Sequence, residues 1–380
     1  MSIAKLHKLM ACLSAIAIFF SMIAAGIVRA APLNNDSARN ETISQSTYNA
    51  VYEDSTTKRS HSYLIRLKDN VDSQVFMDSK KITKNKKNKF TTSNSLRVVL
   101  SDSEIAALTS DTNVLEIEQD AQVAIASIGE MRSSVNTKKK KNAEEETIPW
   151  GVKAIGGDLA AQHNFAGKAV KVGILDTGIS NHEDLKVAGG ISFVEGTTSY
   201  ADDNGHGTHV AGTVAALDNK VGVQGMAPKV DLYAIKVLGA NGSGSYSQVV
   251  QGIEWAIANK MDIINLSFGG AVNSEILHTA IKEAVRAGLI VVAAAGNQGQ
   301  ATESETYPAL FPEVVSVGAT TPSNQRAAFS STGSNLALVA PGTEVLSTTM
   351  GGQYGELSGT SMAAPHVQER QHWYGRKTKS

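Results

Sequence analysis

A chain of 380 residues, 42% of them hydrophobic and with a formal net charge of −1, is long enough for two or three domains. Its balance of charge gives no reason to expect a nucleic acid or an anionic membrane as partner. The single cysteine, Cys12, lies in a segment read below as removable, which excludes disulfides and thiol catalysis from the processed protein.

Residues 1–30 read as a secretory signal. Lys5, His7 and Lys8 make a basic start, an apolar stretch runs from Leu9 to Val28, and Val28-Arg29-Ala30 ends in small residues. Secretion is therefore expected, with no lasting membrane association. Residues 31–61 are polar and rich in Ser, Thr and Asn, the composition of a flexible spacer. From residue 62 the pattern changes. Tyr63–Leu67 and Ser95–Leu100 read as strands and Val71–Lys80 as a helix. Ser101 caps a second helix over Asp102–Ser110, with Glu104 completing a capping box. Val114–Glu118 and Ala121–Ala126 are strands again, so residues 62–126 form a small βαββαβ-like domain. Two charge runs, the six lysines between Lys80 and Lys89 and the continuous Lys138–Lys141, read as solvated loop and linker. Residues 127–147 form that linker, and a maturing cut belongs there, near residues 143–147.

Beyond Pro149 short apolar runs alternate with amphipathic stretches. Ala169–Leu175, Leu232–Leu238, Asp262–Leu266, Leu289–Ala294, Val314–Val317 and Leu336–Val339 read as strands buried on both faces. Helical patterns lie at Val210–Leu217, Ser247–Asn259 and Ser274–Ala287. The fold class is α/β: a three-layer, mostly parallel sheet with helices on both faces, preceded by the small α+β domain. In such sheets the site lies outside the carboxyl ends of the strands.

Three segments far apart carry chemistry: Asp176-Thr177-Gly178, His206-Gly207-Thr208-His209 and Gly359-Thr360-Ser361 through His366. In that order they can form an Asp-His-Ser triad for acyl transfer. Ser361 is the candidate nucleophile at the start of a helix, where backbone N–H groups favour a developing negative charge. Alone it would read as a capping serine, as Asp176 alone would read as a turn aspartate. A metal reading of His206 and His209 lacks the His-Glu-x-x-His pattern and a third ligand. An aspartic protease needs two carboxylates sharing a proton, and this chain has one Asp-Thr-Gly.

Residues 148–367 resemble the catalytic domain of secreted bacterial subtilisins, from Ile148-Pro149-Trp150-Gly151-Val152 through blocks at 206–212, 233–238, 252–257 and 293–297 to Gly359-Thr360-Ser361. The resemblance implies a secreted serine endopeptidase acting on protein substrates as a monomer. It makes His206 the base, leaves His209 structural, has Asp176 orient His206, and has Asn297 and the Ser361 N–H bind the oxyanion. It implies that Ser267, Phe268 and Gly269, with Gly242 and Gly244, hold an extended peptide by its main chain. Ala294, Ala295 and Gly296 would line a roomy primary pocket with Thr306 near its floor, suited to large apolar side chains, and Tyr246 would bound a second pocket. It implies calcium (Ca2+) held by Glu146, Asp184, the Asn219 side chain and the carbonyls of Leu217, Val221 and Val223; Glu146 stands where the family usually has glutamine. Residues 62–126 are similar to the family's propeptide, an intramolecular folding aid and inhibitor.

The resemblance stops at Val367. Residues 368–380 carry Glu369, Arg370, Arg376, Lys377 and Lys379 where the family has a buried apolar helix. Unpaired charges cannot be buried there, so this tail is expected in water, as from a shifted frame or early stop. Two readings follow: an active peptidase made as a precursor, or an inactive product whose first domain still binds and inhibits proteases.

Overall fold

A computed structural model of the chain describes residues 60–82, 86–126, 128–133, 146–163, 165–301 and 303–367. The expected signal, spacer, tail and most of the linker lie outside the described residues.

The first unit is built from β1 (Ser60–Leu67), α1 (Ser73–Lys80), β2 (Lys86–Phe90), β3 (Ser95–Ser101), α2 (Asp102–Thr109) and β4 (Val114–Gln119). Asp72 caps α1 by accepting from the Gln74 and Val75 amides, and the Ser101–Glu104 capping box forms as the sequence predicts. The four strands make an antiparallel sheet in the order β2-β3-β1-β4. The βαββαβ order is thus realised, with different members. Lys86–Phe90, read as solvated loop, is the edge strand, because lysines suit an edge exposed to water and Phe90 is fully buried. Ala121–Ala126 is not part of this sheet. Gln122–Ile125 (β5) leaves it and pairs with the main body. Within the expected linker, Ile128–Ser133 (β6) is a strand as well.

The main body begins with α3 (Trp150–Ala154) and α4 (Gly157–Gln162). Its centre is a seven-stranded sheet of β7 (Lys171–Asp176), β8 (Val187–Ser192), β9 (Asp231–Lys236), β11 (Ile263–Leu266), β13 (Ile290–Ala294), β14 (Val315–Thr320) and β15 (Leu336–Pro341). The order is β15-β14-β13-β11-β7-β9-β8, and all the pairings are parallel. The six apolar runs all become strands. β8, with the sequence VAGGIS, escaped the pattern because two glycines break its apolar run. Successive strands fill one side of β7 and then the other, so the topological switch falls at the carboxyl end of β7, where Asp176 stands.

Helices cover both faces. On one, α6 (Tyr246–Ala258) and α7 (Glu275–Arg286) bury Val249, Ile253, Ile276, Leu277 and Ile281 against Leu175, Ile235, Ile264 and Val291. Leu64, Phe90 and Val123 of the first unit join the same apolar cluster, so its sheet is docked on these helices. On the other face, α5 (His206–Ala215) and α8 (Thr360–Ala363) bury Val210, Val214, Met362 and Ala363 against Val172, Ile174, Ala234 and Val292. A hairpin of β16 (Val345–Thr349) and β17 (Gln353–Ser358) leads into α8, and β6 pairs with its outer strand. Two short strands, β10 (Ser243–Ser245) and β12 (Phe268–Gly269), flank β5. Among the described residues, no helix is long and apolar enough to cross a membrane.

The docking of the first unit is also polar. Asp120 accepts from the Ser247 amide and hydroxyl at the first turn of α6, at 2.9 and 2.8 Å. Glu118 accepts from the Glu275 and Ile276 amides and the Ser274 hydroxyl at the start of α7. Each carboxylate thus satisfies helix N–H groups that have no partner within the helix. Glu254 returns the pattern, accepting from the Thr91 and Thr92 amides.

Candidate active site

Asp176 ends β7 and His206 opens α5, and both are buried. The His206 Nδ1–H donates to Asp176 Oδ1 at 2.7 Å, which leaves Nε2 as the basic nitrogen. Asp176 Oδ1 also accepts from the Thr177 amide at 2.7 Å. His206 Nε2 has no hydrogen-bond partner among the described residues.

The turn after β7 meets the start of α5 backbone to backbone. A Cβ on Gly207 would fall 2.2 Å from the Gly178 carbonyl oxygen, so no side chain fits there. Gly178 itself has φ +111°, in the region that favours glycine.

Asp202, which sequence reasoning did not single out, fastens this junction. Its buried carboxylate accepts from the Thr177 hydroxyl, the Asn204 and Gly205 amides, and both the amide and hydroxyl of Thr208. Lys236, also missed, is fully buried beneath the turn. Its ammonium donates to Thr177 O, to Asp203 Oδ1 at 2.6 Å and to Leu238 O at 2.9 Å. The signals were present in Asp202-Asp203-Asn204-Gly205 and in a lysine ending an apolar run, but the first also reads as a plain turn.

His209 lies one turn along α5, wholly buried. Its Nε2 faces the carbonyl oxygens of Val345 and Gly355 at 2.9 and 3.1 Å and so carries the proton. Burial, reinforced by the neighbouring His206, pushes its pKa down to about 3. It is a neutral tie between α5 and the hairpin.

Ser361 is buried in α8. Its hydroxyl lies 2.6 Å from Ala126 O and 2.8 Å from Ser267 O, and its one proton can serve only one of them at a time. The Asn297 Nδ2 donates to the same Ala126 oxygen at 2.6 Å. Thr360 turns the amide that way, its N–H and hydroxyl both donating to Asn297 Oδ1. The Ser361 N–H points at Ala126 O from 3.4 Å.

The residues expected to hold a peptide enclose β5. Gly244 pairs with Val123, Phe268 with Ile125 and Gly269 with Ala124, all antiparallel. The Ile125 amide donates to Gly242 O at 3.0 Å, and the Ala126 amide to Ser267 O at 3.4 Å. Tyr246 is buried beside this strand; its amide donates to Ala121 O and its hydroxyl to Val272 O. Ala294 and Ala295 are buried at the end of β13, next to Gly296. A Cβ on Gly269 would stand 2.2 Å from Thr306 Oγ1 and one on Gly296 3.2 Å from it, so the Thr306 side chain occupies the space between the two glycines.

The residues expected to hold calcium come from three segments that meet at the 217–223 loop. Asp184 accepts from the Asn219 side-chain amide at 3.2 Å and from the Val223 amide at 2.9 Å. Glu146 accepts from the Asn219 amide at 2.8 Å. The Leu217 amide donates to Asp184 O, and the Val221 amide to Asn219 Oδ1. Burial, together with the charge of Glu146, pushes the Asp184 carboxyl up to about 6. Among the described residues, no group of three or more His, Cys, Asp or Glu converges. Asp184, Glu146 and the Asn219 side chain offer oxygen donors of the kind calcium takes, and a divalent cation beside buried Asp184 would favour its charged form.

The subtilase family model matches residues 167–369. The chain is 46% identical over 268 residues to a thermostable alkaline protease of Halalkalibacterium halodurans, across 70% of this chain and 68% of that one. It is 50% identical over 226 residues to subtilisin E of Bacillus subtilis, across 58% of this chain and 59% of that protein. To subtilisin DY of Bacillus licheniformis it is 52% identical over 225 residues, across 58% of this chain and 82% of that protein.

Replacing Asp202 with Ala strands several buried donors, each costing about 1–3 kcal/mol. Expected is a loss of roughly 3 kcal/mol or more in unfolding free energy, measured in the Ser361→Ala background. In the otherwise unaltered chain, turnover should fall roughly 10–100-fold as His206 loses its seating.

Proposed function

Because the chain belongs to the subtilase family, we propose that it is a secreted serine endopeptidase made as a precursor, with Asp176, His206 and Ser361 as its triad. The observation that carries this reading is the convergence on one peptide carbonyl: the Ser361 hydroxyl, the Ser361 N–H and the Asn297 amide all meet Ala126 O. Secretion rests on the sequence of residues 1–30.

In this reading His206 Nε2 takes the Ser361 proton as Oγ attacks the substrate carbonyl, and Asp176 stabilises the imidazolium. The Asn297 amide and the Ser361 N–H hold the oxyanion, which binds them more tightly than the ground-state carbonyl does. The segments around Gly242–Gly244 and Ser267–Gly269 hold the substrate as an added strand, reading its backbone. Thr306 tunes the primary pocket towards small apolar side chains, in place of the large ones expected from sequence. Residues 62–126 act as the enzyme's own inhibitor, supported by the seating of β5 between β10 and β12. Glu146, Asp184 and Asn219, with carbonyls of the 217–223 loop, hold calcium, whose charge would stabilise the fold with no part in bond making. The reading of an inactive inhibitor-bearing product predicts no turnover that depends on Ser361.

The first test is hydrolysis of apolar peptide anilides. Turnover should vanish in Ser361→Ala and fall about 10²–10³-fold in Asn297→Ala, the loss known for this donor in subtilisin itself. Equal turnover in the Ser361→Ala chain would sink the reading. An alanine anilide should be preferred to a phenylalanine one, and Thr306→Gly should shift that preference towards phenylalanine by roughly 10-fold or more. Chelating calcium should lower the melting temperature of the Ser361→Ala chain, and Asp184→Asn should remove most of that dependence.

A further inference from the structure

Lys236 ends β9 opposite Asp176, its partner in the parallel register of β7 and β9. Its side chain is only 1% exposed. An apolar side chain would fill that place without taking a charge out of water, so the ammonium is held there by what it bonds. It donates to Thr177 O, to Leu238 O at 2.9 Å and to Asp203 Oδ1 at 2.6 Å. These acceptors belong to three segments: the turn after β7, the lead-in to α5, and the stretch that runs from β9 into β10.

Thr177 passes this hold on in two directions. It is fully buried. Its amide donates to Asp176 Oδ1 at 2.7 Å, the oxygen that also receives the His206 Nδ1–H. Its hydroxyl donates to Asp202 Oδ1 at 2.8 Å and accepts from the Gly207 amide, next to His206, at 2.9 Å. With its carbonyl on Lys236, every polar atom of Thr177 is engaged. The Asp176 carbonyl is held from the same strand end, by the Val237 and Leu238 amides at 3.0 and 3.2 Å. The backbone that carries the Asp176 carboxylate is thus fixed at two successive carbonyls by residues 236–238.

We propose that Lys236 is a positioning residue of the peptidase: through Thr177 its ammonium aims the Asp176 carboxylate at His206, and its charge is felt at that base. This rests on the endopeptidase reading and adds to it a residue that acts at one remove from the reacting atoms. The charged and titratable groups around the ammonium are Asp203, bonded to it, Asp202 and Asp176, reached through Thr177, and His206 beyond Asp176. A cation in this place opposes a second positive charge on the imidazole, the form in which the base cannot take a proton. Asp203, half-exposed, acts the other way.

The test compares Lys236→Met and Asp203→Asn with the unaltered chain. Methionine fills the volume but neither donates nor carries charge. Its kcat on a peptide anilide should fall roughly 10–100-fold with KM within about 2-fold. The acid limb of its kcat/KM profile should move to higher pH. Asp203→Asn leaves the ammonium on Thr177, so kcat should stay close to that of the unaltered chain while the acid limb moves to lower pH. A lysine that only held the fold together would not shift the two limbs in opposite directions. The proton between His206 Nδ1 and Asp176 gives a readout that needs no turnover. In the Ser361→Ala chain its downfield magnetic resonance should move upfield on Lys236→Met and stay in place on Asp203→Asn. A folded Lys236→Met chain that keeps its kcat and its resonance overturns the proposal, as does one in which KM alone changes. If Lys236→Met does not fold, Asp203→Asn decides: an acid limb, or a midpoint in the titration of that resonance, that fails to move to lower pH overturns it. An unaltered chain without turnover sinks the endopeptidase reading instead, and the resonance then still decides what Lys236 does.

Discussion

Two short stretches of backbone, Ser243–Ser245 and Phe268–Gly269, lie one strand apart, and the site depends on what fills the gap. Their N–H and C=O groups face each other across a space too wide for direct bonding, and such groups are costly to leave unpaired once shielded from water. An extended segment laid between them satisfies both walls, and β5 does so with antiparallel pairings on either side. The constraint acts on main chain, so it fixes the register of whatever enters with little regard to its side chains. Register is what brings a carbonyl to Ser361: with Gly244 opposite Val123 and Phe268 opposite Ile125, the next carbonyl along falls between the Ser361 hydroxyl and the Asn297 amide.

The candidate catalytic groups are held with equal firmness because none sits on a free loop. Asp176 closes the strand beside the topological switch, and a backbone-to-backbone contact at Gly178 and Gly207 joins that strand end to the helix carrying His206. Asp202 then binds donors from both pieces with one carboxylate. This is a buried charge that is fully hydrogen-bonded, the condition under which such a group rigidifies a site. The neutral, buried His209 anchors the same helix to the hairpin that leads into Ser361. The proposed base and nucleophile are therefore referred to a common frame, although 155 positions separate His206 from Ser361 in the chain.

Much of this was legible in the sequence. The apolar runs marked six of the seven central strands: five have no polar alternation because the sheet is covered on both faces, whereas the sixth, β15, lies at the edge with Leu338 and Val339 exposed, against the expectation of burial. Motif order singled out Asp176 and His206, which hydrogen-bond to each other, and Ser361 and Asn297, which meet at the Ala126 carbonyl. The failures have a common cause: a local pattern gives a segment's conformation and not its partner. Ala121–Ala126 reads correctly as extended, but nothing in it says that it leaves its own sheet for the cleft. Lys86–Phe90 hides an edge strand behind lysines, and the buried anchor Phe90 is too little to reveal it. Asp202 looks like any turn aspartate until the donors around it are assembled. Thr306 lies beside Gly269 and Gly296, neighbours distant in sequence that no local pattern around it could name.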